Sequence, residues 1–186
     1  MTRPRSRARR IALACALAVG LVGATLAGFA WAFRNELPPT PAEVQVEVPA
    51  PDVHLVGESS DEVTLRSEIE GHPSVVVLFR GAWCPYCRNE LGRLAEELAK
   101  QPTSDARVIG ISADPPEAHA DLQRELSLPF PLFSDREDRT SAICHFAMHC
   151  VLLYDSHAVL RWAGYAESWH APVDYGTVLR AARGLR

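Results

Sequence analysis

Two cysteines separated by two residues, Cys84 and Cys87, form the pattern in the chain that is best suited to chemistry. They follow the apolar, β-branched run 74–79 and precede a segment with helical periodicity. At the start of a helix, unpaired backbone N–H groups and the helix dipole stabilise a thiolate. We therefore predict that Cys84 is a nucleophile and that Cys87, one turn later on the apolar face, resolves the mixed disulfide that Cys84 forms.

The neighbours of the two cysteines support this interpretation. Pro85 suits the first turn of a helix because it has no N–H group to leave unpaired. We expect Trp83 to line the site and Tyr86 to lie at its rim, where it contacts substrate. The alternative is that the pair forms a structural disulfide or half of a zinc site, neither of which needs a strand-to-helix junction.

A second group of cysteines and histidines lies further along the chain and comprises Cys144, His145, His149 and Cys150. Cys150 is a candidate for an additional resolving thiol, or it pairs with Cys144 in a second disulfide, which an oxidising compartment permits. Packing without chemistry is the third alternative. The histidines that fall in predicted loops or on exposed faces receive no role: His54, His72, His119 and His157.

A metal site is a further alternative. Thiolate and imidazole ligands suit Cu(I) or Zn, so Cys84 and Cys87 together with His149 or His145 are candidate ligands. The arrangement is loosely similar to that of Sco-type copper chaperones, which carry two cysteines and a later histidine on a thioredoxin fold. Our main prediction is a redox-active disulfide that needs no metal or other cofactor.

Strands and helices alternate along residues 52–186. The predicted strands cover 53–56, 62–65, 74–79, 107–112, 151–154 and 159–162, and the predicted helices cover 85–100, 116–126, 136–147 and 172–183. A continuous apolar run such as 74–79 is typical of a central strand buried on both faces. The pattern predicts an α/β sandwich whose central mixed sheet is flanked by helices, parallel in its middle and antiparallel at one edge.

The N-terminal segment predicts a membrane anchor. Residues 11–33 carry no charge and follow five arginines within residues 1–10. A helix of that length extends about 34 Å, enough to span a bilayer. The positive-inside rule then leaves the N-terminus in the cytoplasm and places the domain in the periplasm or cell exterior, as in a single-pass protein of a bacterial inner membrane. A signal peptide cleaved near Ala30-Trp31-Ala32 is the alternative.

Charge and proline content divide the rest of the chain. Residues 34–51 contain five prolines among acidic and small residues and are predicted to form an extended linker, so that the redox domain covers 52–186. The net charge of −4 separates into +5 for the first 33 residues and −9 for the remainder. An acidic domain argues against nucleic acid as a partner, because binding phosphates requires a clustered basic surface.

Three segments carry a resemblance to a known family: 75–98 (VVVLFRGAWCPYCRNELGRLAEEL), 108–114 (VIGISAD) and 128–135 (LPFPLFSD). They resemble the redoxins grouped with alkyl hydroperoxide reductase and the thiol-specific antioxidants. The resemblance implies a thioredoxin-like fold and thiol chemistry centred on Cys84 and Cys87.

The chain departs from the pattern of its relatives at three places. Gly81 stands where peroxiredoxins have a threonine or serine, and Leu78 stands where thioredoxins have a buried carboxylate. His149 occupies the position of the cis-proline of thioredoxins or the arginine of peroxiredoxins. The resemblance therefore implies that His149 and Cys150 lie within a few ångströms of Cys84.

These observations predict a membrane-anchored, extracytoplasmic thiol-disulfide oxidoreductase whose partner is a protein thiol or disulfide, or a small thiol. No phosphate-binding loop or dinucleotide fingerprint occurs, so electrons are expected to arrive by thiol exchange. A peroxiredoxin-like thiol peroxidase is one alternative, in which peroxide oxidises Cys84 to a sulfenic acid and Cys87 or Cys150 resolves it. The metal-binding chaperone is the other.

Overall fold

A computed structural model describes residues 16–25, 37–42, 44–101, 106–144, 149–165 and 172–185. The chain divides into two units, Met1–Glu36 and Leu37–Arg186. In the first unit, residues 16–25 are helical, and the remainder of the predicted anchor 11–33 lies outside the described residues. Within the described ranges, no helix is both long enough and apolar enough to cross a membrane.

A mixed sheet forms the centre of the second unit. Its strands are β1 (His54–Val56), β2 (Glu62–Thr64), β3 (Ser74–Phe79), β4 (Arg107–Ser112), β5 (Leu132–Ser134), β6 (His149–Tyr154) and β7 (Leu160–Tyr165). The spatial order is β2-β1-β5-β4-β3-β6-β7, with β3, β4 and β5 parallel and the other pairs antiparallel. The predicted α/β sandwich with a parallel centre is confirmed, but both edges of the sheet are antiparallel rather than one.

Helices cover both faces of this sheet. They are α1 (Leu65–Ile69), α2 (Pro85–Lys100), α3 (Pro116–Leu126) and α4 (Tyr175–Ala182), with a 3-10 helix at Thr140–Cys144. Alternate side chains of β3 enter two separate clusters: Val75 and Val77 pack with α2 and α4, whereas Val76 packs with α1. This double burial explains why the sequence of β3 is apolar at nearly every position.

A short loop connects the end of β3 to the start of helix α2. Its first residue is Pro85, and Cys84 is the N-cap residue. Cys87, Leu91 and Leu94 are fully buried, as their spacing of four and three residues predicts for one apolar helix face. The first turn of α2 is therefore fixed against the sheet by the same face that carries Cys87.

The structure corrects the predicted helix 136–147. The Asp135 carboxylate accepts hydrogen bonds from the Thr140 N–H (2.7 Å) and hydroxyl (2.8 Å), which stabilises a turn before the 3-10 helix. Asp138 has φ 51° in the left-handed region, where a right-handed helix cannot continue. Residues 145–147 of the prediction lie outside the described residues.

Part of the predicted linker 34–51 packs on the domain from Leu37 onward. The Glu47 N–H donates to the Leu160 carbonyl (2.7 Å), and the Leu160 N–H donates to the Val48 carbonyl (2.8 Å). The Trp162 indole N–H donates to the Pro38 carbonyl (2.7 Å). Prolines have no backbone N–H to donate, but residues between them still form hydrogen bonds with the edge strand β7. This part of the predicted linker is therefore attached to the domain and does not act as a spacer.

Replacing Trp162 with phenylalanine tests this packing. Phenylalanine is smaller than tryptophan and has no N–H group, so the variant leaves a cavity and loses the hydrogen bond to Pro38, and we expect the free energy of unfolding to fall by about 2 kcal/mol. Urea denaturation of the full chain in detergent, followed by circular dichroism, measures the change. Trp83→Phe is the control, because Trp83 is exposed and should change stability by less than about 0.5 kcal/mol. Equal losses in the two variants would contradict the account.

Candidate active site

Cys84 and Cys87 lie together at the start of α2. Cys84 Sγ accepts a hydrogen bond from the Cys87 N–H at 3.4 Å, which caps the helix. The Cys87 thiol also donates to Cys84 Sγ, and the two sulfur atoms are 2.8 Å apart. Both cysteines are free thiols. The pair is therefore placed to interchange between a dithiol and a disulfide with little backbone movement.

The two thiols differ in their surroundings. Burial raises the pKa of Cys87 to about 12, and its hydrogen bond to Cys84 adds to this, against smaller opposing contributions from the backbone of Arg80 and Gly81. Cys87 consequently keeps its proton at neutral pH and donates it toward Cys84 Sγ. Burial thus keeps Cys87 protonated, and the nucleophilic role of Cys84 stays a prediction.

The loop before Cys84 explains the glycine at position 81. A Cβ atom built on Gly81 would lie 2.5 Å from Trp83 Nε1 and 2.8 Å from Asp114 Oδ2, closer than real Cβ contacts allow. The indole and the carboxylate thus occupy the space that a threonine or serine side chain would need. The absence of a hydroxyl at this position follows from how the loop packs.

The two aromatic neighbours of the cysteines differ in exposure. Trp83 is 63% exposed, with the Arg80 guanidinium 5.0 Å from its ring centroid, so it forms surface beside Cys84, and its lining of the site stays a prediction. Tyr86 is only 3% exposed, and burial raises its pKa to about 12, with Glu90 adding to the shift. A substrate-contacting role at the rim is therefore wrong for Tyr86, whose ring packs inside the domain. Pro85 is at the first helical position, as predicted.

His149 is buried on the face of the sheet that carries α2. It pairs with Phe79 across β3 and β6, and its Nε2 lies 2.6 Å from the Tyr175 hydroxyl. Its ring also packs edge-on against Tyr86, with the ring centroids 6.3 Å apart. Burial, with a smaller effect from the Arg93 charge, lowers the pKa of His149 to about 3. The imidazole is therefore neutral across the physiological range.

An ion pair between buried Glu90 and partly exposed Arg93 is absent from the predicted site. Glu90 is fully buried and pairs with Arg93 at 2.8 Å. Arg93 also donates to the Val173 carbonyl at 3.3 Å, while the Val173 N–H donates to Glu90 at 3.4 Å. These bonds offset part of the cost of removing the charges from water. Glu90 lies three residues after Cys87 on the apolar face of α2, a signal that the sequence did contain.

Cys150 points away from Cys84, contrary to the expectation from the resemblance. It pairs with Leu78, and both belong to the cluster on the opposite face of the sheet from Cys87. Successive side chains of a strand alternate between faces, so only one of His149 and Cys150 can face α2. Cys150 instead forms a disulfide with Cys144, with 6.3 Å between their Cα atoms.

Among the described residues, Cys84, Cys87 and His149 do not form a metal-binding cluster. Within the part of the chain that the structure describes, no group of three or more His, Cys, Asp or Glu side chains is arranged to hold a metal ion. His149 Nε2 is already within hydrogen-bond distance of Tyr175. His145 lies outside the described residues.

The structure also corrects His119, which the sequence placed on an exposed face. It is 1% exposed in α3, and its Nε2 lies 2.7 Å from Ser112 Oγ. Its ring packs 5.8 Å from that of Phe79. An isolated histidine in a polar helix carries no signal of burial, because burial here depends on a serine from a neighbouring strand.

The chain was compared with known proteins. The model of the AhpC/TSA family matches residues 46–148. Alkyl hydroperoxide reductase E of Mycobacterium tuberculosis is 30% identical over 92 residues, which are 50% of this chain and 60% of that protein. Chloroplastic peroxiredoxin Q of Oryza sativa subsp. japonica is 30% identical over 90 residues, 48% of this chain and 41% of that protein. The matches thus span about half of either protein.

A solved structure gives the same fold. A peroxiredoxin-like protein from Aquifex aeolicus superposes with a TM-score of 0.66 at 16% identity, covering 79% of this chain and 91% of that one. The domain is therefore a thioredoxin-like α/β fold, as the resemblance implied.

Replacing His149 with glutamine should change how stability depends on pH. The unfolded chain protonates this histidine as pH falls below about 6.5, whereas the folded chain does not until about pH 3. The wild type should therefore lose stability over that window, by up to about 1.4 kcal/mol per pH unit from this residue. His149→Gln cannot bind the proton and should show a flatter profile in urea titrations between pH 7 and pH 4.

His157→Gln is the matched control, because His157 is exposed in the turn before β7. Its profile should follow that of the wild type. A His149→Gln profile parallel to both would show that His149 is not held neutral by burial.

Proposed function

The chain belongs to the AhpC/TSA family, and on this premise we propose that it is a two-cysteine thiol peroxidase that reduces a hydroperoxide at Cys84. The observation that carries the proposal is the 2.8 Å separation between Cys84 Sγ, at the start of α2, and the protonated Cys87 thiol. Support also comes from the relatives that the chain resembles, alkyl hydroperoxide reductase E and peroxiredoxin Q.

In the first step, the Cys84 thiolate attacks the terminal oxygen of the hydroperoxide. A sulfur–oxygen bond forms and the oxygen–oxygen bond breaks, so Cys84 becomes a sulfenic acid and the peroxide leaves as an alkoxide that takes a proton from solvent to give an alcohol. The sulfur loses two electrons and the peroxide gains them. The N-terminal turn of α2 favours the thiolate that begins the step.

In the second step, Cys87 attacks the sulfenic sulfur of Cys84. The sulfur–sulfur bond forms as the sulfenic hydroxyl leaves, and the proton of the Cys87 thiol accompanies it to give water. The high pKa of Cys87 suits this order, because the thiol stays protonated until its partner has been oxidised. The step requires no cofactor.

The cycle closes when a reductant opens the Cys84–Cys87 disulfide. A protein dithiol or two equivalents of a small thiol supply the electrons, first forming a mixed disulfide and then releasing the reduced pair. The exposed ring of Trp83 lies next to Cys84 in the chain and offers surface for a partner to contact. Thiol-disulfide exchange with a partner is therefore part of the proposed function, whether the Cys84–Cys87 pair receives electrons from that partner or passes electrons to it.

Thiol-disulfide exchange with a protein substrate is the second candidate function. It is favoured by the packing around Gly81, which leaves no room for a hydroxyl side chain beside Cys84. A site without that donor has fewer groups to orient a peroxide. The two candidates share Cys84 and Cys87 and differ in the oxidant that Cys84 meets.

Two substitutions test the shared chemistry and the choice of oxidant. Cys84→Ser should abolish hydroperoxide consumption in the presence of dithiothreitol, because no thiolate remains at the start of α2. In the absence of any thiol reductant, Cys87→Ser should consume one equivalent of hydroperoxide and retain a sulfenic acid that a dimedone probe traps at Cys84. Hydroperoxide loss and mass spectrometry of the labelled peptide provide the measurements.

The double variant Cys144→Ser/Cys150→Ser is the control and should keep the activity, because this disulfide lies on the opposite face of the sheet. A wild-type chain that reduces insulin disulfides rapidly but consumes no hydroperoxide would favour the second candidate. A chain that does neither would contradict both.

We further propose that residues 11–33 anchor the chain in a bacterial inner membrane, with the domain on the periplasmic or outer side. Support comes from the uncharged stretch behind five arginines. In the described part of that stretch, Leu17, Val19, Leu21 and Val22 are each more than half exposed, as side chains in contact with lipid would be. The Cys144–Cys150 disulfide also suits an oxidising compartment.

The double substitution Val19→Arg/Val22→Arg should release the chain from the membrane fraction after a carbonate wash. Each arginine costs about 2.5 to 3.5 kcal/mol near the centre of a membrane helix. Val48→Arg, at an exposed valine of the domain, is the matched control and should leave the wild-type distribution unchanged. Recovery of the wild-type chain in the soluble fraction at its full mass would contradict the anchor, and a soluble chain shortened near Ala32 would indicate a cleaved signal.

A further inference from the structure

We propose that Asp114 is a positioning residue for Cys84. The Asp114 carboxylate holds the backbone of Ala82, and it is the last member of a hydrogen-bond chain that begins at buried His119. The inference rests on the proposed function only in taking Cys84 as the reactive thiol. Asp114 follows β4, whereas Ala82 lies in the loop between β3 and α2. The contact therefore joins the ends of two neighbouring strands.

The first contact is made by a single carboxylate oxygen. Asp114 Oδ2 accepts a hydrogen bond from the Ala82 N–H at 2.5 Å. The carbonyl of Ala82 is also held, because Arg88 donates to it at 3.3 Å from the first turns of α2. The Cys84 N–H in turn donates to the Gly81 carbonyl at 3.1 Å. Both polar backbone groups of Ala82, two residues before the nucleophile, are thus fixed by side chains.

Asp114 is itself held in place. Its N–H donates to Ser112 Oγ at 3.2 Å, and the Ser112 hydroxyl lies 3.3 Å from the same Oδ2 that accepts from Ala82. Its carbonyl accepts from the Ser134 hydroxyl at 2.6 Å. Because side chain and backbone of Asp114 are both bonded, the carboxylate has little freedom to follow the loop if the loop moves.

The far end of the chain is the imidazole of His119. Its Nε2 lies 2.7 Å from Ser112 Oγ, and its Nδ1 is buried without a hydrogen-bond partner among the described residues. A serine hydroxyl has one proton, so when Ser112 donates to Asp114 it must accept from His119 Nε2–H. Nδ1 then carries only a lone pair, which is the less costly group to leave unpaired in the interior.

Two of the side-chain bonds run from His119 toward the Asp114 carboxylate, and the backbone of Ala82 donates to the same carboxylate from the other side. His119 donates to Ser112, Ser112 donates to Asp114, and the carboxylate ends the chain as the acceptor of the Ala82 N–H. Burial lowers the pKa of His119, against a smaller opposing effect of Asp114, which is consistent with a neutral ring that bears one proton. A charged ring would place a second N–H at the unpartnered position.

The functional consequence lies at Cys84. Its sulfur caps α2 only while the loop from Arg80 to Trp83 keeps its path, because the cap needs Cys84 Sγ within reach of the Cys87 N–H. Releasing the Ala82 N–H removes one of the two side-chain hydrogen bonds that hold the backbone of Ala82. The thiolate then spends less time where the helix N-terminus stabilises it.

The test is the pH dependence of Cys84 alkylation by iodoacetamide in the full chain, with the labelled peptide identified by mass spectrometry. Asp114→Ala should lower the rate at pH 7 by about fivefold, the effect typical of a lost helix cap, and move the midpoint of the profile to higher pH. Asp114→Asn should retain the wild-type profile within about twofold, because one amide oxygen can accept both hydrogen bonds that now converge on Oδ2.

The comparison of the two variants separates positioning from charge. Both remove the negative charge, which would by itself favour the Cys84 thiolate and move both profiles to lower pH. Only Asp114→Ala removes the acceptor. Asp121→Ala is the matched control, because Asp121 is exposed in α3 and pairs with Arg124 on the same helix; its profile should equal that of the wild type.

Ser112→Ala keeps the test decisive if Asp114→Ala does not fold, as judged by circular dichroism. It leaves the carboxylate in place but cuts the link to His119, so the profile should move in the same direction by a smaller amount. Wild-type profiles for Asp114→Ala and Ser112→Ala, or equal shifts for Asp114→Ala and Asp114→Asn, would overturn the positioning role.

Failure of the proposed function gives a different result. A wild-type chain that is alkylated at Cys84 but consumes no hydroperoxide would overturn the peroxidase and leave the positioning role standing. A wild-type chain whose Cys84 is not alkylated at any pH would overturn both.

Discussion

The cap of helix α2 is the interaction on which the site depends. A helix begins with N–H groups that have no partner within the helix, and here the sulfur of Cys84 accepts one of them. The atom that stabilises the helix start is therefore also the proposed nucleophile. The buried strand β3 fixes where this cap lies, because its residues are held from both faces of the sheet.

The alternation of side chains along the sheet keeps two cysteine pairs apart. Cys84 and Cys87 belong to the cluster under α2 and α4, whereas Cys144 and Cys150 belong to the cluster on the other face. His149 and Cys150 are adjacent in sequence, yet their side chains lie in different environments, because successive side chains of a strand point to opposite faces of the sheet. One pair is thus available to cycle between thiol and disulfide, while the other joins the 3-10 helix to β6.

The parts of the fold that follow from local patterns could be predicted from sequence. The apolar run of β3, Pro85 at the first helical position and the spacing from Cys87 to Leu94 depend on neighbouring residues only, and the structure agrees with them. The burial of Tyr86 and His119 could not be predicted in this way, because each depends on partners distant in sequence, whereas Glu90 follows the spacing of the apolar face of α2. The orientation of Cys150 can be predicted in principle. Successive side chains of a strand face opposite sides of the sheet, so burial of His149 against Tyr86 requires Cys150 to point to the other face.

Peptide mapping after oxidation tests the central claim most directly. The reduced Cys84–Cys87 pair of the full chain is treated with one equivalent of hydroperoxide, free thiols are blocked, and the disulfide-linked peptides are identified by mass spectrometry. We predict one new disulfide, between Cys84 and Cys87, with Cys144 still joined to Cys150. Oxidised Cys84 beside a free Cys87, or a bond from Cys84 to Cys144 or Cys150, would contradict the account.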